Sequence, residues 1–273
     1  LESKGYEVDY LDIDKCGILD VEMLKSKIRE DTSLISIMAV NNETGAIQPL
    51  EEIVKIKNQV KRDVVIHTDA VQAYGKIEIL PAKTGIDMIT MSSHKINGPK
   101  GVGALYVRRG VRIMPVIFGG GQESLMRSGT ENVPGICGFG LSSQITFDKI
   151  KENGIKVEKL KEMFIEKLRN ALFLCKIISP ENSSPYILNT VFDGVKAEVL
   201  LHHLEGKNIF VSTGSACSSK KNLHSHVLKA MGLDTCDIES AIRFSFSSCN
   251  TEDDIVDTAE ALSNILPQII RKT

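Results

Sequence analysis

Up to about residue 107 the sequence alternates short apolar runs with amphipathic stretches at helical spacing, and this alternation restricts the fold most. Parallel strands cannot be joined by a tight turn, so strand-like runs separated by helical patterns specify a mainly parallel sheet with crossover helices. Strands are predicted at 33–40, 64–68, 88–91 and 103–107. Between them Asp20 caps a helix that carries Val21, Leu24 and Ile28 on one face, and Pro49 opens another in which Leu50, Ile53, Ile56 and Val60 recur. Leu1 to Lys4 reads as the last turn of a helix, Gly5 as its C-cap and 6–11 as a further strand. A chain that starts in mid-pattern, without Met, predicts residues upstream.

After Gly119, Gly120 and Gly121 the texture changes. A long amphipathic helix is predicted from about 154 to 174, with Val157, Leu160, Phe164, Leu168 and Leu172 at three- or four-residue steps. Another closes the chain, where Thr251 and Asp254 form a capping-box pattern ahead of Ile255, Ala259, Leu262 and Ile265. Strand candidates at 186–192 and 242–247 lie between them. The expected architecture is α/β: a large domain over 1–140 built on a mainly parallel sheet, then a smaller α+β C-terminal domain over 141–273.

Composition narrows the partners. At 273 residues and 42% hydrophobic the chain buries a substantial core. Its 33 basic and 35 acidic side chains nearly cancel, which leaves no electrostatic footprint for nucleic acid or an anionic membrane. No apolar run has the length of a membrane span and the start lacks a signal-peptide pattern, so a cytoplasmic setting is expected. The six cysteines (Cys16, Cys137, Cys175, Cys217, Cys236, Cys249) are scattered without a CxxC pair, which predicts free thiols. His224 and His226 lack ligand spacing to other candidates, and no metal is predicted.

Ligands of parallel α/β sheets bind beyond the carboxyl ends of the strands. Three predicted ends are unusually polar: Asn41-Asn42-Glu43-Thr44-Gly45, Asp69-Ala70-Val71-Gln72 and Ser92-Ser93-His94-Lys95. One sheet would gather these clusters on one edge, around a small molecule. The set suits pyridoxal 5'-phosphate, with Lys95 for the Schiff base, Asp69 to keep the pyridine nitrogen protonated and Ser92 for part of the phosphate. A blander reading stands beside it, in which Asp69 is a helix N-cap and Lys95 a solvated charge. A second candidate is Cys217, within Gly214-Ser215-Ala216-Cys217-Ser218-Ser219-Lys220-Lys221. Small neighbours predict a mobile loop and nearby lysines favour thiolate, whereas the alternative is a buried cysteine at a helix start. His94 adjoins Lys95 and is placed to stack or move protons; His202 and His203 read as mid-helix packing or surface residues.

At these residues the sequence resembles the cysteine desulfurases of the NifS/IscS-like type, within the class V aminotransferases of fold-type I. The likeness runs through Asn41 to Gly45, His67-Thr68-Asp69-Ala70-Val71-Gln72, Ser92 to Gly101, Gly119 to Glu123, Met126 to Thr130, Gly214 to Ser218 and Ile242-Arg243-Phe244-Ser245. The Gly-Ser-Ala-Cys stretch is the most specific part. The resemblance implies that Lys95 carries the cofactor, Asp69 pairs with its ring nitrogen, and Asn42 and Gln72 bond atoms around the ring. Ser92 and His94 match positions at the phosphate and near the Lys95 linkage. Thr130 matches a position that reaches the phosphate of a neighbouring subunit, which implies a homodimer, and Arg243 one that holds the substrate carboxylate. The implied activity turns L-cysteine into L-alanine, leaves a persulfide on Cys217, and supplies sulfur to an acceptor such as an iron-sulfur scaffold. A Gly/Thr-rich phosphate cradle and a ring-stacking His of the family would precede Leu1. A selenocysteine lyase, another class V enzyme and a truncated non-catalytic relative stay open as alternatives. A Cys-His hydrolase would leave the cluster around Lys95 unexplained.

Overall fold

The computed structural model describes residues 1–61, 63–171, 175–214 and 224–270, without the side chain of residue 171. In chain order its elements begin with α1 (Val21–Lys27), β1 (Leu34–Met38), α2 (Leu50–Val60), β2 (Val65–Asp69), α3 (Pro81–Thr84), β3 (Met88–Ser92), β4 (Gly103–Val107) and α4 (Val133–Asp148). They continue with α5 (Ile150–Ala171), β5 (Cys175–Ile177), β6 (Ile187–Phe192), α6 (Ala197–Glu205), β7 (Ser212–Thr213), α7 (His226–Ala230), α8 (Thr235–Glu239), β8 (Ala241–Ser245) and α9 (Glu252–Ile269). The chain divides into two compact units: residues 1–27, 40–49 and 151–273 form the first, and 28–39 with 50–150 the second.

The second unit is built on a sheet of order β1-β2-β3-β4, parallel through β3 and closed by an antiparallel β4. Side chains alternate across a strand, and the two faces differ here. Ile35, Ile66 and Ile89 are buried on one face, while the other presents Ser36, His67, Asp69, Thr90 and Ser92. Helix α4 starts behind an Asn132 cap whose side chain accepts from the Gly135 N–H. It packs on the segment that follows β3, where the Ser142 hydroxyl donates to the Ile96 carbonyl, and on Tyr74, whose ring meets Phe139 and Phe147 edge-on at 5.9 and 5.1 Å.

The first unit carries an antiparallel sheet of order β5-β6-β8-β7. Its core joins Phe164 and Leu168 of α5 with Leu188 of β6, Phe244 of β8 and Leu262 of α9. The predicted capping box is present: the Thr251 side chain accepts from the Asp254 N–H, and the Asp254 carboxylate accepts from the Thr251 N–H. Asp20 accepts from the Glu22 and Met23 amides and so starts α1 as expected. Among the described residues no helix is long and apolar enough to cross a membrane.

Two expectations differ from the structure. The 6–11 run joins no sheet among the described residues; Tyr6 and Tyr10 are exposed, so alternation there reflects no buried face. Gly5 does end a short helical turn, Glu2–Lys4, in the left-handed region at φ 83°. The units also divide at 150/151 rather than 140/141, and residues 1–27 and 40–49 group with the C-terminal part. Long-range bonds account for this: α4 is held to Ile96 and Tyr74, whereas residues 43–45 bond to Ser179, Ser184, Asn189 and Ser225.

Lys161 of α5 is 7% exposed, and its ammonium donates to the Ser183 hydroxyl (2.7 Å) and the Ser184 carbonyl (3.0 Å). Burial pushes its pKa down from 10.5 to about 8, against the pull of Glu158. Between those values the unfolded chain holds a proton that the folded chain has released, so stability rises with pH through this window. Relative to Lys161→Met, the natural chain is expected to gain up to about 3 kcal/mol of unfolding free energy between pH 7.5 and 10.5. Parallel denaturation midpoints for the two proteins across that range would contradict it.

Candidate active site

The parallel register assembles the polar edge of the second unit. Met38 pairs with Asp69 and Asp69 with Thr90, so β1, β2 and β3 end side by side. The Ala39 N–H donates to the Asp69 carbonyl (2.8 Å) and the Ala70 N–H to the Thr90 carbonyl (3.0 Å), which extends the ladder past the strand ends. Asp69 is exposed; one carboxylate oxygen accepts from the Val71 N–H at 2.9 Å. Turns and no helix follow Asp69, so this bond closes a turn rather than capping a helix, and the carboxylate has a second oxygen to offer. Gln72 accepts from Lys76 through its side-chain carbonyl, at 3.2 Å.

Ser92 ends β3, and one helical turn, Ser93–Ile96, places His94 and Lys95 directly beyond it. Asn97 stops that turn at φ 63°, a conformation asparagine tolerates. A Cβ at Gly98 would overlap Ser93 Oγ and come 3.1 Å from the Ser93 carbonyl, so a side chain there would displace Ser93. Ser92 Oγ and His94 Nδ1 share a hydrogen bond at 2.7 Å. Lys95 is half-buried, His94 is exposed, and Thr130 is exposed in the segment leading to α4.

Asn42 and Arg243 belong to the first unit. The Arg243 guanidinium donates to the Asn42 carbonyl (2.9 Å) and to Ser212 Oγ (3.1 Å), so two arms of its fork are fixed. The turn holding Asn42 is itself tightly held. Asn41 Oδ1 accepts from the Glu43 and Thr44 amides (2.9 and 3.0 Å) and from the Thr44 hydroxyl (3.3 Å). Buried Glu43 accepts from Ser225 Oγ (2.5 Å), and the Thr44 carbonyl accepts from Ser179 Oγ (2.6 Å). Gly45 adopts φ 77°, and its carbonyl takes the Ser184 N–H at 2.8 Å.

The structure thus brings Asp69, Gln72, Ser92, His94 and Lys95 to one edge of one sheet, and Asn42 with Arg243 to one turn of the other unit. Cys217 lies outside the described residues. Among those described, Cys16, Cys137, Cys175, Cys236 and Cys249 are free thiols, and burial raises Cys175 to about 12. Exposed His202 and His203 sit on α6, as expected. Asn41, Glu43 and His67 were visible in the motifs without a role. The available signal for His67 was the spacing of polar residues two apart at the ends of two strands, His67 with Asp69 and Thr90 with Ser92.

Residues 1–257 match the family model for class-V aminotransferases. The chain is 40% identical over 272 residues to "Cysteine desulfurase IscS 1" of Archaeoglobus fulgidus, an alignment covering all of this chain and 69% of the relative. It is 38% identical to "Putative cysteine desulfurase IscS 1" of Bacillus subtilis, over 98% of this chain and 71% of that one. Among solved structures, a "NifS-like protein" aligns with TM-score 0.91 at 39% identity, over 98% of this chain and 70% of the other. A NifS-like protein from Rickettsia africae aligns with TM-score 0.86 at 36% identity, over 94% and 69%. The chain spans roughly two thirds to seven tenths of the length of these curated relatives.

Asn41→Ala would strand two backbone donors in a buried turn, at a cost of about 2–3 kcal/mol. A denaturation midpoint lowered accordingly, with far-UV circular dichroism retained, is expected; an unchanged midpoint would show that the turn does not depend on Asn41.

Proposed function

Because the chain belongs to the class-V aminotransferase family, among its cysteine desulfurases, we propose that it converts L-cysteine to L-alanine and takes the sulfur as a persulfide on Cys217. The observation that carries this reading is the register Asp69–Thr90, with Lys95 three residues past the end of β3: a carboxylate and an amine on adjoining strand ends. The family's cofactor is pyridoxal 5'-phosphate, which when bound supplies an electron sink conjugated to the substrate's amino group. The donor set fits it. Asp69 keeps one carboxylate oxygen beyond its bond to Val71 for a ring N–H, Lys95 offers a half-buried amine, and Ser92 and His94 form a polar pair beside it. Asn42 and Gln72 provide amides for other ring atoms, and Thr130 serves a phosphate in a second copy of the chain, so the working species is a homodimer.

Each side chain then has a task. Lys95 would anchor the cofactor, and its amine would take and hold the proton from the substrate's Cα. Arg243 receives the substrate carboxylate, its fork pre-set by Asn42 and Ser212. Cys217 attacks the substrate sulfur as thiolate. The new S–S bond forms as the C–S bond breaks, its electron pair leaves with carbon, and a proton completes alanine. Cysteine plus a thiol thus gives alanine plus a persulfide, with no outside oxidant. The outer sulfur passes to an acceptor such as an iron-sulfur scaffold, and the free thiols among the described residues support a reducing, cytoplasmic setting.

Cys217→Ala is expected to retain cofactor absorbance yet lose sulfur release by about a thousandfold or more, and Lys95→Ala to lose both. Continued desulfuration in either variant contradicts the role assigned to that residue.

A further inference from the structure

The polar face of the second unit's sheet holds a side-chain row that the steps above do not use. His67 stands on β2 two residues before Asp69, so both side chains project from the same face. Its ring reaches both neighbouring strands: Nδ1 shares a hydrogen bond with Ser36 Oγ of β1 at 2.8 Å, and Nε2 with Thr90 Oγ1 of β3 at 2.6 Å. Thr90 is also the ladder partner of Asp69. One imidazole therefore ties three strands together in the layer directly before the carboxylate.

Two hydrogen bonds on opposite ring nitrogens fix the plane of the ring. They also suit its neutral form, in which one nitrogen donates and the other accepts, because each hydroxyl can turn to serve either. Burial pushes the His67 pKa below its ordinary 6.5, while the Asp69 charge pulls the other way. The neutral form matters at this place. A cation two residues from Asp69 on the same face would compete for its charge, whereas a neutral ring leaves that charge to a protonated ring nitrogen of the cofactor.

We propose that His67 is a positioning residue for Asp69: a neutral imidazole, braced by Ser36 and Thr90, that fixes the end of β2 and leaves the carboxylate's charge undivided. It touches neither substrate nor cofactor in this role. The proposal rests on the reading of Asp69 as the partner of pyridoxal phosphate, and it extends that reading to the strand beneath.

The test titrates the full chain with pyridoxal phosphate and compares His67→Leu, His67→Gln, the pair Ser36→Ala with Thr90→Val, and each change in an Asp69→Asn background. His67→Leu is expected to weaken cofactor binding about tenfold and to shift the bound cofactor's absorbance, with the KM for cysteine unchanged; the hydroxyl pair reproduces most of this and His67→Gln recovers part. In the Asp69→Asn background the same changes should add less than about twofold, because coupled residues are not additive. Binding within twofold of wild type for His67→Leu, or an undiminished loss without Asp69, overturns the proposal. A wild-type chain that takes up no pyridoxal phosphate contradicts the cofactor reading instead. The proposal is then decided by imidazole nitrogen NMR of the chain without cofactor. A single fixed tautomer of His67 that shifts in Asp69→Asn supports it, and a ring averaging between tautomers, indifferent to Asp69, overturns it.

Discussion

Parallel pairing of β1, β2 and β3, in the register that sets Met38 beside Asp69 and Asp69 beside Thr90, is the constraint on which the proposed cofactor site depends. Strand side chains have a period of two, so a slip of β2 by one residue would turn Asp69 onto the face of Ile35 and Ile89 and expose Ile66 instead. Burial of Ile35, Ile66 and Ile89 therefore holds the carboxylate where it is. The same ladder delivers Ser92 to the edge, and the turn that follows needs only four residues to present Lys95. Helix α4 supports that turn from behind through Ser142 and Ile96.

The first unit solves a different problem, the satisfaction of a buried turn. Residues 41–45 carry backbone groups that cannot reach water, and each needs a partner. Asn41 serves two amides itself, while Ser179, Ser184, Asn189 and Arg243 come from segments more than a hundred residues away. Arg243 is fixed as part of that arrangement, since the carbonyl it donates to belongs to Asn42. In the proposed reading this guanidinium, already placed by Asn42 and Ser212, receives the substrate carboxylate.

Much of this was legible in the residues, for local reasons. The strands at 64–68, 88–91 and 103–107 shift by at most one residue, because apolar runs bounded by polar clusters report both burial and strand end. Asp20 and Thr251 announced their helices through short-range caps. The 6–11 run forms no strand because alternation marks one only where a ladder partner exists, and among the described residues none pairs with it. The grouping of residues 40–49 with the C-terminal unit was invisible, as Glu43–Ser225 spans 182 positions and nothing local marks it. His67 was hidden in another way: its partners lie on two other strands, and only the register joins them.

Asp69 and Lys95 as two ends of one cofactor site can be tested directly by fixing the cofactor in place. The chain is incubated with pyridoxal phosphate, reduced with borohydride and digested, and the modified peptides are mapped by mass. A phosphopyridoxyl group confined to Lys95, and greatly diminished in Asp69→Ala, is the predicted result. Label spread over surface lysines, or concentrated at another lysine while Lys95 stays unmodified, would contradict it.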